Sequence, residues 1–216
     1  MEVSKSAPGR DDSWDFLDIA IRWPGLLEQA AGALRASGSC QLYISAYELS
    51  AFLEEINDFD QMITAKQMTP SWPCKLNGYD FFSAWLDGDE TFTDVHDCSP
   101  SWRYENIKAS INLHKAMALK TLMNILVADP AIVDIPPEMV ELELELEATV
   151  MDLCRRVPAI IGRQASFMGM IAASPCLRFA VVYFQEKQRQ KELAWCLKVA
   201  RKMNHDGLAM AGGTLW

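Results

Sequence analysis

Residues able to carry acid–base or metal chemistry are scarce in this sequence. It has three histidines in 216 residues, and its six cysteines (Cys40, Cys74, Cys98, Cys154, Cys176 and Cys196) include no C-x-x-C pair. A structural zinc site needs closely spaced thiolates or imidazoles, so no metal is expected. G-x-S-x-G, the phosphate loop, the dinucleotide fingerprint and H-E-x-x-H are all missing. NAD, ATP or zinc-hydrolase chemistry therefore has no support, and no cofactor is expected. No apolar run approaches the roughly 20 residues of a membrane span. The first ten residues, including Ser6-Ala7-Pro8-Gly9-Arg10, are polar and do not read as a signal peptide. The expected setting is intracellular and reducing, cytoplasmic or nuclear, with free thiols.

Concentrated positive charge is lacking too. The formal net charge is -9, and the densest basic run, Lys187 to Lys202, is diluted by Glu186 and Glu192. Duplex binding requires clustered Lys and Arg to displace counterions from phosphate, so direct DNA binding is not expected. That run reads as a solvated helix face.

What the chain does have is apolar material, 50% of its residues, enough for a substantial core in one domain. Residues 1–12 read as a disordered tail and 13–216 as a single helical domain. Ser13 can cap a helix carrying Trp14, Leu17, Ala20 and Ile21. Pro24 suits the first turn of a second helix ending near Gly38, with Leu26, Leu27, Ala30, Ala31 and Leu34 as its apolar positions. From Leu42 to Lys66, the stripe Leu49, Phe52, Leu53, Ile56, Phe59 and Ile63 steps by three and four, which is a helical period. A long helix over 101–128 carries Tyr104, Ile107, Ile111, His114, Ala118, Leu122 and Ile125. Another, after Pro136-Pro137, carries Met139, Leu142, Leu146, Val150, Leu153 and Val157, and Pro158 is expected to end or kink it. Within it, Val140–Glu147 alternates like a strand, but Glu and Leu are good helix formers and the helical stripe runs on. After a connector broken by Gly162, Gly169 and Pro175, helices are expected from Cys176 to about Gln185 and from Lys187 to about Met210.

Between them, residues 69–100 keep no period and are punctuated by Pro70, Pro73, Gly78, Gly88 and Pro100, yet hold Trp72, Tyr79, Phe81, Phe82, Trp85 and Phe92. So aromatic a segment is expected to fold over the helices rather than stay in water.

The C-terminal third carries an ordered set of landmarks. Ala148 leads into Leu153-Cys154-Arg155-Arg156-Val157-Pro158, then Pro175-Cys176-Leu177-Arg178-Phe179-Ala180, then Trp195, Val199 and Gly207-Leu208-Ala209-Met210-Ala211. In order and spacing, residues 146–211 resemble the C-terminal regulatory domain of fungal zinc-cluster transcription factors. Arg156 stands where that family usually has serine, and Cys176 is inserted between Pro175 and Leu177. The family's zinc cluster has no counterpart here. The resemblance implies an all-α fold of about seven to nine helices and a regulatory or ligand-binding role. It also implies a small apolar molecule or another regulatory protein as partner.

Two clusters could carry chemistry. His114 lies mid-helix on the apolar stripe, about three turns from Tyr104, where an imidazole and a phenol could exchange protons; a core histidine with one hydrogen bond is the alternative. His96 and Asp97, within Asp94-Val95-His96-Asp97-Cys98, could form a proton-transfer pair or offer metal ligands with Cys74 or Cys98, although the spacing matches no established metal motif; a plain surface loop is the favoured alternative. His205-Asp206-Gly207 reads as an ordinary helix end. Trp72, Tyr79, Trp85 and Trp102, with Tyr104, could line an apolar site between the 101–128 helix and the aromatic segment. The alternative function is thus a cofactor-independent isomerase or cyclase of fungal secondary metabolism on the same scaffold.

Overall fold

The computed structural model describes residues 12–36, 38–66, 102–129, 137–161 and 167–205. Among them there are seven α-helices and no strand. They are α1 (Asp12–Ala20), α2 (Trp23–Ala36), α3 (Ser39–Lys66), α4 (Trp102–Ala128), α5 (Pro137–Ile161), α6 (Phe167–Glu186) and α7 (Gln190–His205). The all-α expectation holds, including the Glu–Leu alternation at 140–147, which lies inside α5. The aromatic segment at 69–100 falls outside the described residues.

The chain divides into two compact units, and the divisions fall within α4, between Leu113 and His114, and within α5, between Thr149 and Val150. In the first unit α1 and α2 both pack on α3. The expected α3 stripe is buried at every position, Leu49, Phe52, Leu53, Ile56, Phe59 and Ile63. Trp23 stacks on Phe52 and Phe16 packs on Phe59, with ring centroids 5.9 and 5.6 Å apart. α1 closes where the amide of Arg22 bonds the Ile19 carbonyl (3.2 Å), and α2 opens where the amide of Leu26 bonds the Arg22 carbonyl (3.2 Å). Pro24 sits in that first turn, where its missing N–H costs nothing. Arg22 is paired with Glu55 and lies over the Phe52 ring, tying the α1–α2 turn to α3.

The face of α1 differs from the expected one. Phe16 and Ile19 are buried, whereas Trp14, Leu17 and Ile21 are 58%, 47% and 70% exposed. Both sets have helical spacing, and Trp23 extends the buried one into α2. In α2 the core positions are Trp23, Ala30 and Ala33, and Leu27 faces out.

In the second unit α6 and α7 form a packed pair. Its core is Leu153, Val157, Ile160, Leu177, Phe184, Trp195 and Val199 with their neighbours. Neither proline ends its helix. α5 continues past Pro158 to Ile161, and α6 begins at Phe167 and runs through Gly169 and Pro175, so the expected connector is shorter. A proline removes one amide donor and crowds one carbonyl, while its fixed φ is helical. At Pro175 the crowded carbonyl belongs to Ile171, whose residue is 43% exposed, so it can tilt toward water. The start of α7 shifts from Lys187 to Gln190 because α6 closes in a tight reversal. The amides of Gln188 and Arg189 bond the carbonyls of Gln185 (3.2 Å) and Phe184 (2.9 Å), with Gln188 left-handed at φ 56°.

Candidate functional site

Of the residues marked by sequence, Trp72, Tyr79, Trp85, His96 and Asp97 lie outside the described residues. Trp102 opens α4, and its side chain is also outside them. Tyr104 and His114 are both on α4, ten residues apart, which is ~15 Å along a helix. Each belongs to a different unit. His114 is half-buried and meets the Phe16 ring edge-on, centroids 5.4 Å apart and planes at 81°. Tyr104 is half-buried beside Arg156.

Around Tyr104 the second unit buries a polar row that apolar periodicity does not reveal. Glu105, Lys108 and Asn112 recur at i, i+3 and i+7 on α4 and are only 3%, 5% and 7% exposed. From α5, Arg156 bonds Glu105 at 2.9 Å and Asp152 at 2.9 Å. The amide of Asn112 donates to Asp152 at 2.7 Å. Burial pulls the Arg156 guanidinium down, but the Asp152 and Glu105 carboxylates outweigh it and hold it above its ordinary value. Arg156 thus bridges two carboxylates, and the bonded pairs join α4 to α5. The signal in sequence is a charged row at helical spacing facing Asp152 and Arg156 at i, i+4.

Three thiols lie buried in the same unit, Cys154, Cys176 and Cys196. Burial, reinforced by a hydrogen bond with Cys196, pushes the Cys154 thiol well up, and burial pushes Cys176 up to about 12. At neutral pH Cys154 and Cys176 are protonated core residues and poor nucleophiles. Among the described residues no group of His, Cys, Asp and Glu is placed to hold a metal ion. No helix there is long and apolar enough to cross a membrane.

The first unit carries two rows of exposed large apolar side chains. Trp14, Leu17 and Ile21 follow one side of α1 into its closing turn. Tyr43, Ile44 and Tyr47, 73%, 42% and 69% exposed, occupy the outer side of α3. Ile21 of the first row and Tyr47 of the second line an open groove between α2 and α3, together with Arg22, Gly25, Leu26, Gln29, Glu48 and Ala51. Scattered exposed apolar residues are ordinary, but six large ones in two helical rows present on the order of several hundred Å² of apolar surface. The groove is open to solvent along its length and does not enclose a small molecule.

No protein-family model, curated protein or solved structure matches this chain.

Proposed function

We propose that this chain is a regulatory helical module that acts by binding a protein partner and does not itself catalyse a reaction or read DNA. One observation carries the reading, the two rows of exposed large apolar side chains on α1 and α3, of which Ile21 and Tyr47 line the α2–α3 groove. A module that senses a small molecule needs an enclosed, mostly apolar pocket with a few convergent polar groups. A module that pairs with another protein needs an exposed apolar patch, and the first unit carries one. The sequence resemblance to transcription-factor regulatory domains supports the same role, with the DNA-reading part supplied by the partner. A chain with net charge -9 is suited to that division of labour, since it would be repelled by phosphate.

The test separates this reading from the isomerase or cyclase alternative. Leu17→Asp and Tyr43→Asp place charge on the exposed rows, and His114→Ala and Tyr104→Phe remove the candidate proton carriers. If the chain is a partner-binding regulator, the surface variants stay folded and change transcripts of the genes it controls, and the α4 variants do not. Accumulation of a biosynthetic intermediate in the α4 variants, with transcripts unchanged, would establish the enzyme instead.

A further inference from the structure

We propose that the α2–α3 groove of the first unit docks a basic amphipathic helix of a different protein. Its apolar ridge would lie over Ile21, Gly25 and Tyr47, and its Lys and Arg flanks would face the surrounding carboxylates. The inference rests on the partner-binding reading and names the chemistry of that partner.

Charge decides the class of occupant. Residues 12–55 hold seven carboxylates, Asp12, Asp15, Asp18, Glu28, Glu48, Glu54 and Glu55, against Arg22 and Arg35, with Asp12 paired to Lys66 and Glu55 to Arg22. Arg22 and Glu48 both line the groove, and Arg22 is engaged by Glu55, so Arg22, Glu55 and Glu48 together leave one negative charge in excess there. An apolar strip framed by negative charge repels an anionic membrane surface and nucleic acid, and it attracts a cationic, apolar-ridged segment. A second copy of this chain fits poorly. Its overall charge is of the same sign, and its own basic helix, α7, has its apolar stripe spent inside the second unit. Trp195, Val199 and Met203 there are 0%, 0% and 2% exposed.

Shape points to a helix as the occupant. The floor of the groove is low because Gly25 and Ala51 present little or no side chain, while Ile21 and Tyr47 stand as walls. A Cβ built on Gly25 would meet nothing within 4 Å. The fold therefore does not need a glycine there for its own packing, and the space above it is free for a side chain from outside. Apolar residues at i, i+3, i+4 and i+7 of an incoming helix would fill a floor of this kind and contact both walls.

The probe is a synthetic leucine–lysine peptide about 18 residues long, with leucines at i, i+3, i+4 and i+7. It is titrated into the full chain and followed by amide chemical shifts and calorimetry. Controls are a scrambled peptide of the same composition and a leucine–glutamate peptide of the same pattern. The expected result is saturable binding that moves the amides of Gly25, Tyr47 and Ala51. Binding should weaken by ~10-fold or more in Gly25→Trp, which fills the floor, and in Ile21→Asp, and by a smaller factor in Glu48→Lys. Far-UV circular dichroism verifies the fold of each variant, and if Gly25→Trp disturbs it, Ile21→Asp at a 70% exposed site carries the comparison. Absence of binding, equal binding of the scrambled or glutamate peptide, or unchanged affinity in the folded variants would each overturn the proposal. The partner-binding reading fails separately, through unchanged transcripts in the Leu17→Asp and Tyr43→Asp variants.

Discussion

Replacing Arg156 with methionine tests whether the buried row on α4 is held by one cation. Arg156 contacts two carboxylates of unequal exposure. Glu105 is 3% exposed and bonded at 2.9 Å, whereas the Asp152 side chain is 39% exposed at the same distance. The Asp152 arm resembles a surface pair worth about 0–1 kcal/mol. The Glu105 arm differs, because removing its cation strands a carboxylate out of water, and breaking such a pair costs roughly 3–5 kcal/mol. Lys108 lies one turn further along α4 and is itself buried, so it retains part of the neutralisation. The expected loss for Arg156→Met is thus near the lower end, about 3 kcal/mol, and for Asp152→Asn about 1 kcal/mol or less.

Urea unfolding at pH 7, followed by far-UV circular dichroism, measures both. With a slope of about 2–3 kcal/mol/M, Arg156→Met should lower the midpoint by about 1 M or more. The double variant Arg156→Met/Glu105→Leu removes the stranded charge and should recover most of the loss. Protonation gives a second check. Glu105 in Arg156→Met is destabilised as the anion, so its penalty should shrink as pH falls toward the ordinary glutamate range near ~4.3 and be gone below it. A loss below about 1 kcal/mol, or a double variant no more stable than Arg156→Met, would refute the assignment of Arg156 as the hub.

Gln188 holds a left-handed φ of 56° at the close of α6, where glycine is unstrained, so Gln188→Gly should raise stability by about 1 kcal/mol in thermal or urea unfolding. In a Cys74→Ser/Cys98→Ser background, a thiol reagent should modify exposed Cys40 quickly and reach Cys154, Cys176 and Cys196 only on unfolding. The raised Cys176 thiol adds stability that is complete below the ordinary thiol range and is lost as pH rises through it toward about 12. Cys176→Ala should therefore flatten the alkaline limb of the stability profile. Burial raises the Glu192 carboxyl, but its hydrogen bond from Arg189 wins and holds it below the ordinary value. The stability this adds is present above the ordinary carboxylate range and lost as pH falls through the lowered one, so Glu192→Gln should reduce the acid sensitivity of unfolding.

The long helices were legible because their length let periodicity average out ambiguity. The α3 stripe spans Leu49 to Ile63, four turns with one apolar face, and every expected position is buried. The same holds for Leu146, Val150, Leu153 and Val157 on α5. Boundaries were less legible where punctuation misleads. Pro158 and Pro175 lie inside helices because one lost amide bond is small beside the burial of Leu153, Val157, Ile160, Ala173 and Leu177 around them. The end of α6 was hidden for the opposite reason. Gln188 fills a left-handed position that glycine would have announced.

The candidate sites were hidden by the way stripes compete. On α4, apolar residues mark several directions around the axis, and Ala109, Ile111, Leu113, Ala116 and Leu119 are all buried. A search for one apolar face therefore passes over Glu105, Lys108 and Asn112, although their spacing is just as regular. On α1 the competition is between two apolar rows of identical spacing, Trp14–Leu17–Ile21 and Phe16–Ile19–Trp23. One helix of nine residues can turn only one of them inward, and the second wins because Phe16 has Phe59 and Trp23 has Phe52 to pack against. The first row is then surplus, as are Tyr43 and Tyr47 on α3, whose inward positions belong to Leu42, Ser45 and Leu49. Apolar area has a fixed cost in water of roughly 25 cal/mol per Å², so a surplus on two adjoining helices is costly unless something covers it. Of the two rows that periodicity could not rank, the outward one, Trp14–Leu17–Ile21, is the one that the proposed partner-binding role uses.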